Sequence, residues 1–302
     1  MEKKILVTGI GGNVGQGILR NIRDCFPEVI IVGVDVAIFT SGNFLCDKTF
    51  QVPYSYEDNY IKVIQSIVEE EKIDLIIPST DYEVYYLALS KCALKTNVAV
   101  SDYQIAKIYL DKYETFLYHS KHNIPFAKSW LPKDYDFSEK EIIAKPREGR
   151  GSRGILINPL NPSELPEGYM IQPLVKGKEI TTAVYVTKEN FLHSIFTMER
   201  ELTNGTTSKS KVIFDYDNDL RIIIQKMIPF EVNCRISGTN SIRHNLGFQD
   251  VKYTVQEYLF DIKPDEAKPI KGIATRILLD VVYPEAEDEN NLNNKFSQHV
   301  LY

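Results

Sequence analysis

The sequence predicts an α/β protein with two domains, a doubly wound domain over residues 1–105 and a second domain over residues 106–302 that becomes α+β toward its C-terminal part. Strand and helix patterns alternate through the first hundred residues, as they do in an open parallel sheet. A glycine-rich turn from Gly9 to Gly15 follows the first apolar strand. Beyond residue 140 the alternating apolar pattern indicates antiparallel hairpins instead.

The elements of the first domain follow from periodicity. The predicted strands are Ile5–Val7, Val29–Val34, Ile73–Ile77 and Val98–Val100, and the predicted helices are 13–23, Tyr60–Glu71 and Glu83–Leu94. Loops at the carboxyl ends of parallel strands line the ligand crevice. Gly11 and Gly12 after the first strand, and Thr80 and Asp81 after the strand ending at Ile77, are therefore predicted to bind substrate. Asp81 as a helix cap is the alternative.

The second domain mixes helix and strand patterns. Its predicted helices are Tyr103–Leu110, Lys112–Lys121, Asp217–Met227 and Val251–Phe260, and its predicted strands are Ala127–Trp130, Glu141–Lys145, Ile155–Ile157, Tyr169–Gln172, Thr181–Tyr185, Phe191–Met198, Ile228–Asn233 and Gly272–Leu279. Lys188-Glu189-Asn190 is predicted to join two of these strands in a hairpin.

Composition places the chain among ordinary globular proteins. It is 43% hydrophobic and 25% charged, and its net charge of −6 argues against general affinity for nucleic acid or acidic membranes. No secretory signal or long apolar run is seen, so the cytoplasm is the expected compartment. The four cysteines form no CxxC pair, so the sequence signals neither a zinc site nor a disulfide framework.

A glycine-rich basic loop follows the strand that ends in Lys145. It carries Gly149, Gly151 and Gly154 among three arginines and Ser152. Glycines permit the positive-φ turns that aim successive backbone N–H groups into one concavity, and such a concavity binds anions. The loop is therefore predicted to hold a polyphosphate. A solvated surface hairpin is the alternative.

A second polar motif runs from Glu231 to Arg235. Strand alternation would place Glu231, Asn233 and Arg235 on one face. Carboxylate and amide oxygens suit Mg²⁺ carried by nucleotide phosphates, and a guanidinium could reach a phosphate oxygen. The alternative is an edge strand with a polar face.

Three segments in this order resemble the ATP-grasp fold, and most nearly the carbamoyl-phosphate-synthase-like members: Ala144 to Gly154, Gln172 to Glu179, and Glu231 to Arg235. The resemblance implies a Rossmann-like preATP-grasp domain followed by an ATP-grasp domain. Within the latter it implies a small subdomain at about 113–185 and a remainder that binds metal and substrate. It also implies ATP and Mg²⁺ as cofactors, with Mn²⁺ able to replace Mg²⁺. The implied activity joins a small-molecule carboxylate to an amine or other nucleophile through an acylphosphate, without nucleic acid or membrane. A homodimer is left open.

The resemblance also implies roles for individual residues. It assigns the nucleotide to Lys112, Lys145, Gly149, Gly151, Ser152, Arg153, Gly154, Gln172, Leu174, Val175 and Glu179. It assigns the metal to Glu231 and Asn233, and catalysis to Arg235 and Arg243. Arg243 and His244 are expected near the start of a helix, where anions are favoured.

Two other functions remain open. The glycine turn with Asp35 also fits a nicotinamide-dinucleotide fingerprint, which would make the protein an oxidoreductase but leaves residues 140–240 unexplained. The second alternative is a nucleotide-binding regulator that has lost catalysis. It arises because the predicted helix ending at Met227 runs directly into the predicted strand from Ile228, where relatives place a further strand. Either that strand is lost or the sequence omits a segment.

Overall fold

The computed structural model describes residues 2–149, 151, 153–216, 230–289, 292 and 295–301. Its first part is a five-stranded parallel sheet in the order β3-β2-β1-β4-β5. The strands are β1 (Lys4–Thr8), β2 (Ile30–Asp35), β3 (Lys48–Gln51), β4 (Leu75–Ile77) and β5 (Asn97–Val98). The helices of this part are α1 (Asn13–Cys25), α2 (Tyr60–Glu71) and α3 (Asp81–Leu89). The predicted doubly wound sheet is confirmed.

Both faces of this sheet are buried, and the later part of the chain covers one of them. Its helices α6 (Asn240–His244) and α7 (Asp250–Tyr258) return to the first part. Val251 and Val255 of α7 are fully buried in one core with Ile5 and Ile18. A Cβ on Gly17 of α1 would lie 1.8 Å from Asn240 Oδ1, so glycine is required for α6 to pack this closely.

Two helices connect the first sheet to the next, as predicted. They are α4 (Tyr103–Leu110) and α5 (Lys112–Lys121). Asp111 lies between them and caps α5, since its carboxylate accepts the N–H of Tyr113 at 2.8 Å. The same carboxylate accepts Arg147 Nε at 2.9 Å. Asp111 therefore ties the helix junction to the strand that precedes the glycine-rich loop.

A small antiparallel sheet in the order β7-β6-β8 carries that loop. Its strands are β6 (Ile142–Pro146), β7 (Leu156–Ile157) and β8 (Tyr169–Pro173). The prediction of a strand over Ala127–Trp130 is wrong, because Trp130 forms a single bridge to Ile171. Pro125 and Pro132 bracket this segment, and proline cannot donate to a ladder.

The remaining sheet is antiparallel, in the order β12-β11-β10-β9. Its strands are β9 (Ile180–Val186), β10 (Leu192–Thr203), β11 (Thr206–Ile213) and β12 (Ile273–Thr275), and a separate pair is β13 (Val281–Val282) with β14 (Val300–Leu301). The hairpin across residues 188–190 is confirmed. The strand predicted over Gly272–Leu279 pairs only at its first residues.

Two predictions near the second motif need correction. Residues 230–233 are irregular rather than the end of a strand, and the predicted helix over Asp217–Met227 lies outside the described residues. Arg243 and His244 form the last turn of α6, not its start. The partial positive charge of a helix N-terminus, which would favour an anion, is therefore absent beside these two residues.

No helix among the described residues is long and apolar enough to span a membrane.

Candidate functional site

One cleft brings together residues that are far apart in the sequence. It lies where α3, the α4–α5 junction, the glycine-rich loop and the irregular segment after residue 229 meet. Its walls are Asp81, Tyr82, Tyr109, Leu110, Lys112, Gly149, Glu231, Val232 and Asn233. Residues predicted separately for substrate, nucleotide and metal thus share one cavity. Helix starts and loop ends position them, as is usual for ligand sites in open α/β sheets.

The glycine-rich loop has the backbone conformations that require glycine. Gly151 has φ of +64° and Gly154 has φ of +71°. A Cβ on Gly154 would lie 3.0 Å from Pro146 Cγ. The turn at Gly205 packs on this loop, since a Cβ there would lie 2.4 Å from the Gly151 carbonyl oxygen. Arg153 is exposed, and Ser152 lies outside the described residues. Anion binding by this loop stays a prediction.

Lys145 is a buried cation next to the segment that forms one wall of the cleft. It is 6% exposed, and its Nζ donates to the Phe230 carbonyl at 3.0 Å. Burial lowers the pKa of Lys145 to about 8, the charge of Glu231 raises this pKa, and the charge of Lys112 lowers it. The segment after residue 229 therefore lies directly against the lysine that was predicted to bind phosphate.

Lys112 is the second cation beside the loop. Its Nζ donates to the Gly149 carbonyl at 3.1 Å and to the Arg147 carbonyl at 3.4 Å. Its backbone N–H also donates to the Arg147 carbonyl at 3.0 Å. These contacts fix Lys112 against the loop, and its charge is near enough to Lys145 to lower the pKa of that lysine.

Asp81 and Arg235 join the first part of the chain to the second motif. Arg235 Nη2 donates to Asp81 Oδ2 at 2.9 Å and to Asn233 Oδ1 at 3.4 Å. Asp81 Oδ1 and Arg235 Nε are buried and have no hydrogen-bond partner among the described residues. A buried polar atom without a partner is costly, so a ligand that satisfied these two atoms would gain free energy.

The oxygen ligands predicted for a metal reach the cleft without sharing a strand face. Glu231 and Asn233 are both exposed and both line the cavity. The predicted strand alternation is wrong, but the irregular segment still presents both side chains on the same side. A carboxylate and an amide oxygen form a donor set that fits Mg²⁺. Asn233 Oδ1 accepts from Arg235 Nη2 at 3.4 Å in this structure and would have to release that contact to bind a metal.

Several predicted nucleotide contacts are engaged elsewhere in the fold. Gln172 is 1% exposed and its amide donates to Ser129 Oγ at 2.9 Å. The Leu174 N–H donates to the Glu141 carbonyl at 2.9 Å, and Arg200 Nε donates to Glu179 at 2.9 Å. Val175 is 56% exposed. Gln172 therefore stabilises the small sheet. Of the segment predicted to contact the base of the nucleotide, the exposed residues after Pro173 are still accessible to it.

Arg243 is likewise committed to the fold. It is 1% exposed, and its guanidinium forms an ion pair with Asp250 and donates to Ser237 Oγ at 2.8 Å and Thr239 Oγ1 at 2.7 Å. The predicted catalytic role needs a guanidinium that can reach substrate. These contacts explain why Arg243 is buried, and they leave Arg235 as the arginine beside the cleft.

The glycine turn of the first sheet is closed by its own hydrogen bonds. Gly11 N–H donates to Asp35 Oδ2 at 2.9 Å, and Gly12 N–H donates to the Gly9 carbonyl at 3.1 Å. Thr80 caps α3 in a reciprocal capping box with Glu83, so Asp81 is not the cap. Asp35 also accepts the Ala37 N–H at 3.2 Å. Its carboxylate therefore binds backbone amides, which counts against the ribose contact of the oxidoreductase alternative.

A group of tyrosines beside the cleft was missed from the sequence. Tyr54 and Tyr56 stack with ring centroids 5.3 Å apart, and Tyr56 meets Tyr82 edge-on at 6.4 Å. Tyr82 lines the cavity, whereas Tyr54 and Tyr56 are 47% and 57% exposed. The signal was available, because these two tyrosines follow the carboxyl end of β3. The short strand itself was not predicted.

Comparison with known proteins supports the fold. Residues 5–100 match the family of PylC-like N-terminal domains. No curated protein sequence matches the chain. The structure resembles the N5-carboxyaminoimidazole synthetase of Staphylococcus aureus in complex with ADP, with a TM-score of 0.72, 14% identity, and coverage of 92% of this chain and 83% of that chain.

Two further solved structures are similar. One is the biotin carboxylase domain of the Hydrogenobacter thermophilus 2-oxoglutarate carboxylase with MgADP and bicarbonate, with a TM-score of 0.66, 14% identity, and coverage of 97% of this chain and 77% of that one. The other is the L-amino acid ligase of Bacillus licheniformis, with a TM-score of 0.65, 12% identity, and coverage of 89% and 78%. The chain has the fold of the ATP-grasp enzymes, as the motif resemblance predicted. The nearer kinship to carbamoyl-phosphate-synthase-like proteins stays a prediction.

Proposed function

We propose that the protein is an ATP- and Mg²⁺-dependent ligase that joins a small carboxylic acid to an amine or other nucleophile through an acylphosphate. The observation that carries this proposal is the single cleft in which Lys112, Gly149, Glu231 and Asn233 meet Asp81. A phosphate site, an oxygen donor set and a residue of the first crevice are the parts that phosphoryl transfer to a carboxylate needs. Solved relatives that contain ADP or MgADP support the choice of nucleotide.

The lysines and the glycine-rich loop would hold the phosphates. Lys145 and Lys112 supply positive charge, and the loop at Gly151 and Gly154 offers backbone N–H groups. A phosphate oxygen would replace the Phe230 carbonyl as the acceptor of Lys145 Nζ. The exposed chain at Val175 would meet the base, and Glu179 would have to exchange Arg200 for a ribose hydroxyl.

Glu231 and Asn233 would hold Mg²⁺, or Mn²⁺ in its place. Bound metal supplies charge neutralisation for the transferring phosphoryl group. Arg235 lies beside Asn233, and its Nε has no partner in the part of the chain that the structure describes, so it can add a donor to the same phosphoryl oxygens. Alignment and charge neutralisation, rather than a covalent enzyme intermediate, would then account for catalysis.

The acid or the acceptor would bind on the side of the first sheet. Asp81 offers a carboxylate oxygen there that no described residue pairs with. The neighbouring Tyr82 ring contacts Tyr56, which stacks on Tyr54. Gly11, Gly12 and Thr80 shape this edge through their own hydrogen bonds rather than through free donors. A homodimer remains compatible with these contacts, and none of them requires nucleic acid or a membrane.

Nucleotide binding should depend on pH through Lys145. The pKa of Lys145 in the free protein is about 8, and bound phosphate would raise it by stabilising the ammonium. Affinity for ATP should therefore fall as pH rises through about 8, and binding between about pH 8 and 9 should take up a proton. The phosphate groups of the nucleotide do not titrate in this pH range, because the second pKa of a phosphate monoester is about 6.

Calorimetric titration in two buffers with different ionisation enthalpies measures this proton uptake. Lys145→Arg is the matched control, because a guanidinium stays charged throughout the range and should make the pH profile flat. Equal affinity of the wild-type protein at pH 7 and pH 9.5, with no proton uptake, would remove Lys145 from the phosphate site.

The activity itself is tested by release of ADP and phosphate against panels of carboxylates and amines, with Mg²⁺ present. The expected result is release that requires an acid and is increased by a matching amine. Tight binding of ATP with no release across the panels would favour the regulator that has lost catalysis. Release that ignores every acid and amine would contradict a ligase.

A further inference from the structure

A second cluster of ligand atoms lies outside the residues that line the cleft and has none of the proposed catalytic roles. It forms where the C-terminal end of α1 meets the end of α6, and it contains Asp24, Cys25 and His244. His244 Nε2 lies 2.9 Å from Asp24 Oδ2 and 4.0 Å from Cys25 Sγ. All three donor atoms lie within 4.8 Å of one another. We propose that this cluster binds Zn²⁺ and so ties α1 to α6.

The spacing is close to that of a zinc chelate. When zinc lies about 2.0–2.3 Å from nitrogen, oxygen and sulfur ligands in a tetrahedron, the ligand atoms are about 3.3–3.6 Å apart. The observed separations of 2.9 Å and 4.0 Å from His244 Nε2 lie on either side of this range. Each of these two separations would have to change by about 0.4 Å, and the Asp24 and Cys25 ligand atoms, which lie within 4.8 Å of each other, would have to approach by up to about 1.2 Å to share a metal with His244.

The arrangement distinguishes a metal site from a nucleophilic triad. In a triad the two ring nitrogens face different partners, one the nucleophile and the other the acid. Here Asp24 and Cys25 both face Nε2, and Nδ1 of His244 is buried with no hydrogen-bond partner among the described residues. Two ligand atoms that converge on the same nitrogen cannot relay a proton through the ring. They can share a cation with it.

The chemistry of the donor set selects the metal. Thiolate, imidazole and carboxylate together suit Zn²⁺, whereas Mg²⁺ and Ca²⁺ take oxygen ligands. The two acidic ligands would balance the charge of the ion once Cys25 is deprotonated. Asp24 is 71% exposed and His244 only 4%, so the ion can enter from solvent on the Asp24 side and keep a water as its fourth ligand.

The site is held in place before any metal arrives. Asn240 in α6 donates from Nδ2 to the Val14 carbonyl of α1 at 3.0 Å, and Gly17 lets the two helices touch. Among the described residues, Nδ1 of His244 has no hydrogen-bond partner, and such outer partners typically raise metal affinity about 10- to 100-fold. We therefore expect affinity on the order of micromolar rather than that of a closed structural zinc site.

Cobalt is the probe that reads the cysteine directly. The full-length protein is stripped of metal with a chelator, freed of the chelator, and titrated with Co²⁺ and then with Zn²⁺. One equivalent of Co²⁺ should give a thiolate-to-metal charge-transfer band. Zn²⁺ should displace the Co²⁺ and abolish this band, whereas excess Mg²⁺ should not. The band should be absent from the spectrum of Cys25→Ser. The affinity of Asp24→Asn for Co²⁺ should be at least tenfold lower than that of the wild-type protein.

Cys92→Ser is the matched control, because Cys92 is also a free cysteine but is exposed and lies outside the cluster. It should bind like the wild-type protein. Asp24→Asn changes an exposed side chain, so its fold can be verified by an unaltered melting temperature without metal. An intact band in Cys25→Ser, or no binding by the wild-type protein at a hundred-micromolar excess, would overturn the proposal. This test does not depend on the ligase activity.

Discussion

Glu231→Gln should lower the rate of ADP formation about a hundredfold or more while the protein remains folded. Glu231 is exposed at the cleft, where its carboxylate is one of two oxygen side chains proposed to hold the metal. Glutamine keeps the size of the side chain but removes the negative charge that attracts Mg²⁺. A metal that neutralises the transferring phosphoryl group acts in the transition state, so kcat should fall more than affinity for ATP.

The rate is measured by ADP release at saturating ATP and Mg²⁺ with the best acid from the panels. Glu189→Gln is the matched control, since Glu189 is an exposed glutamate in the turn between β9 and β10. Affinity for ATP without metal should change little in either variant, apart from the effect of Glu231 on Lys145. A Glu231→Gln enzyme that turned over at the wild-type rate would refute the metal assignment.

Asp81→Asn should raise KM for the non-nucleotide substrate at least tenfold and leave KM for ATP nearly unchanged. Asp81 begins α3 at the carboxyl edge of the first sheet and pairs with Arg235 at 2.9 Å. Its other carboxylate oxygen is buried and has no partner among the residues that the structure describes. One charge-assisted hydrogen bond to a substrate contributes about 1.5–3 kcal/mol, and tenfold corresponds to about 1.4 kcal/mol. Loss of that bond should therefore be visible in KM.

Asp74→Asn is a suitable control for this variant. Asp74 lies just before β4, at the opposite edge of the same sheet, and it also forms an ion pair, with Lys3 at 2.8 Å. Both variants should lose a little stability, but only Asp81→Asn should alter KM. If Asp81→Asn lowered the melting temperature and preserved both KM values, Asp81 would be a structural partner of Arg235 and no more.

Much of the fold could be predicted because local patterns decide it. The helices Tyr60–Glu71, Tyr103–Leu110 and Lys112–Lys121 were predicted to the residue. The first two carry an amphipathic repeat, and Asp111 caps the start of the third. Strands β3 and β11 were missed. The first has four residues and the second is rich in threonine, serine and lysine, so neither shows a long apolar alternation. Tertiary pairing, not local pattern, specifies such strands.

The sequence predicted which segments form the site, but not which of their side chains are hydrogen-bonded to other parts of the fold. Sequence order placed Lys145, Glu231 and Asn233 in one function, and the structure brings their segments to one cleft. The sequence could not show that Arg243 forms an ion pair with Asp250, or that Gln172 donates a hydrogen bond to Ser129. Those partners are set by packing across the fold. For the same reason no cysteine motif announced the cluster of Cys25 with His244, which are 219 residues apart.

The most direct test of the central claim is the melting temperature with nucleotide. Only ligands that bind the native state stabilise it, and a ligand at a hundred times its Kd adds about 2.7 kcal/mol. ATP with Mg²⁺ should therefore raise the melting temperature by several degrees, and NADH and NADPH should leave it unchanged. Stabilisation by NADH at micromolar concentration, with none by ATP and Mg²⁺, would contradict the nucleotide site proposed for this cleft and restore the oxidoreductase alternative.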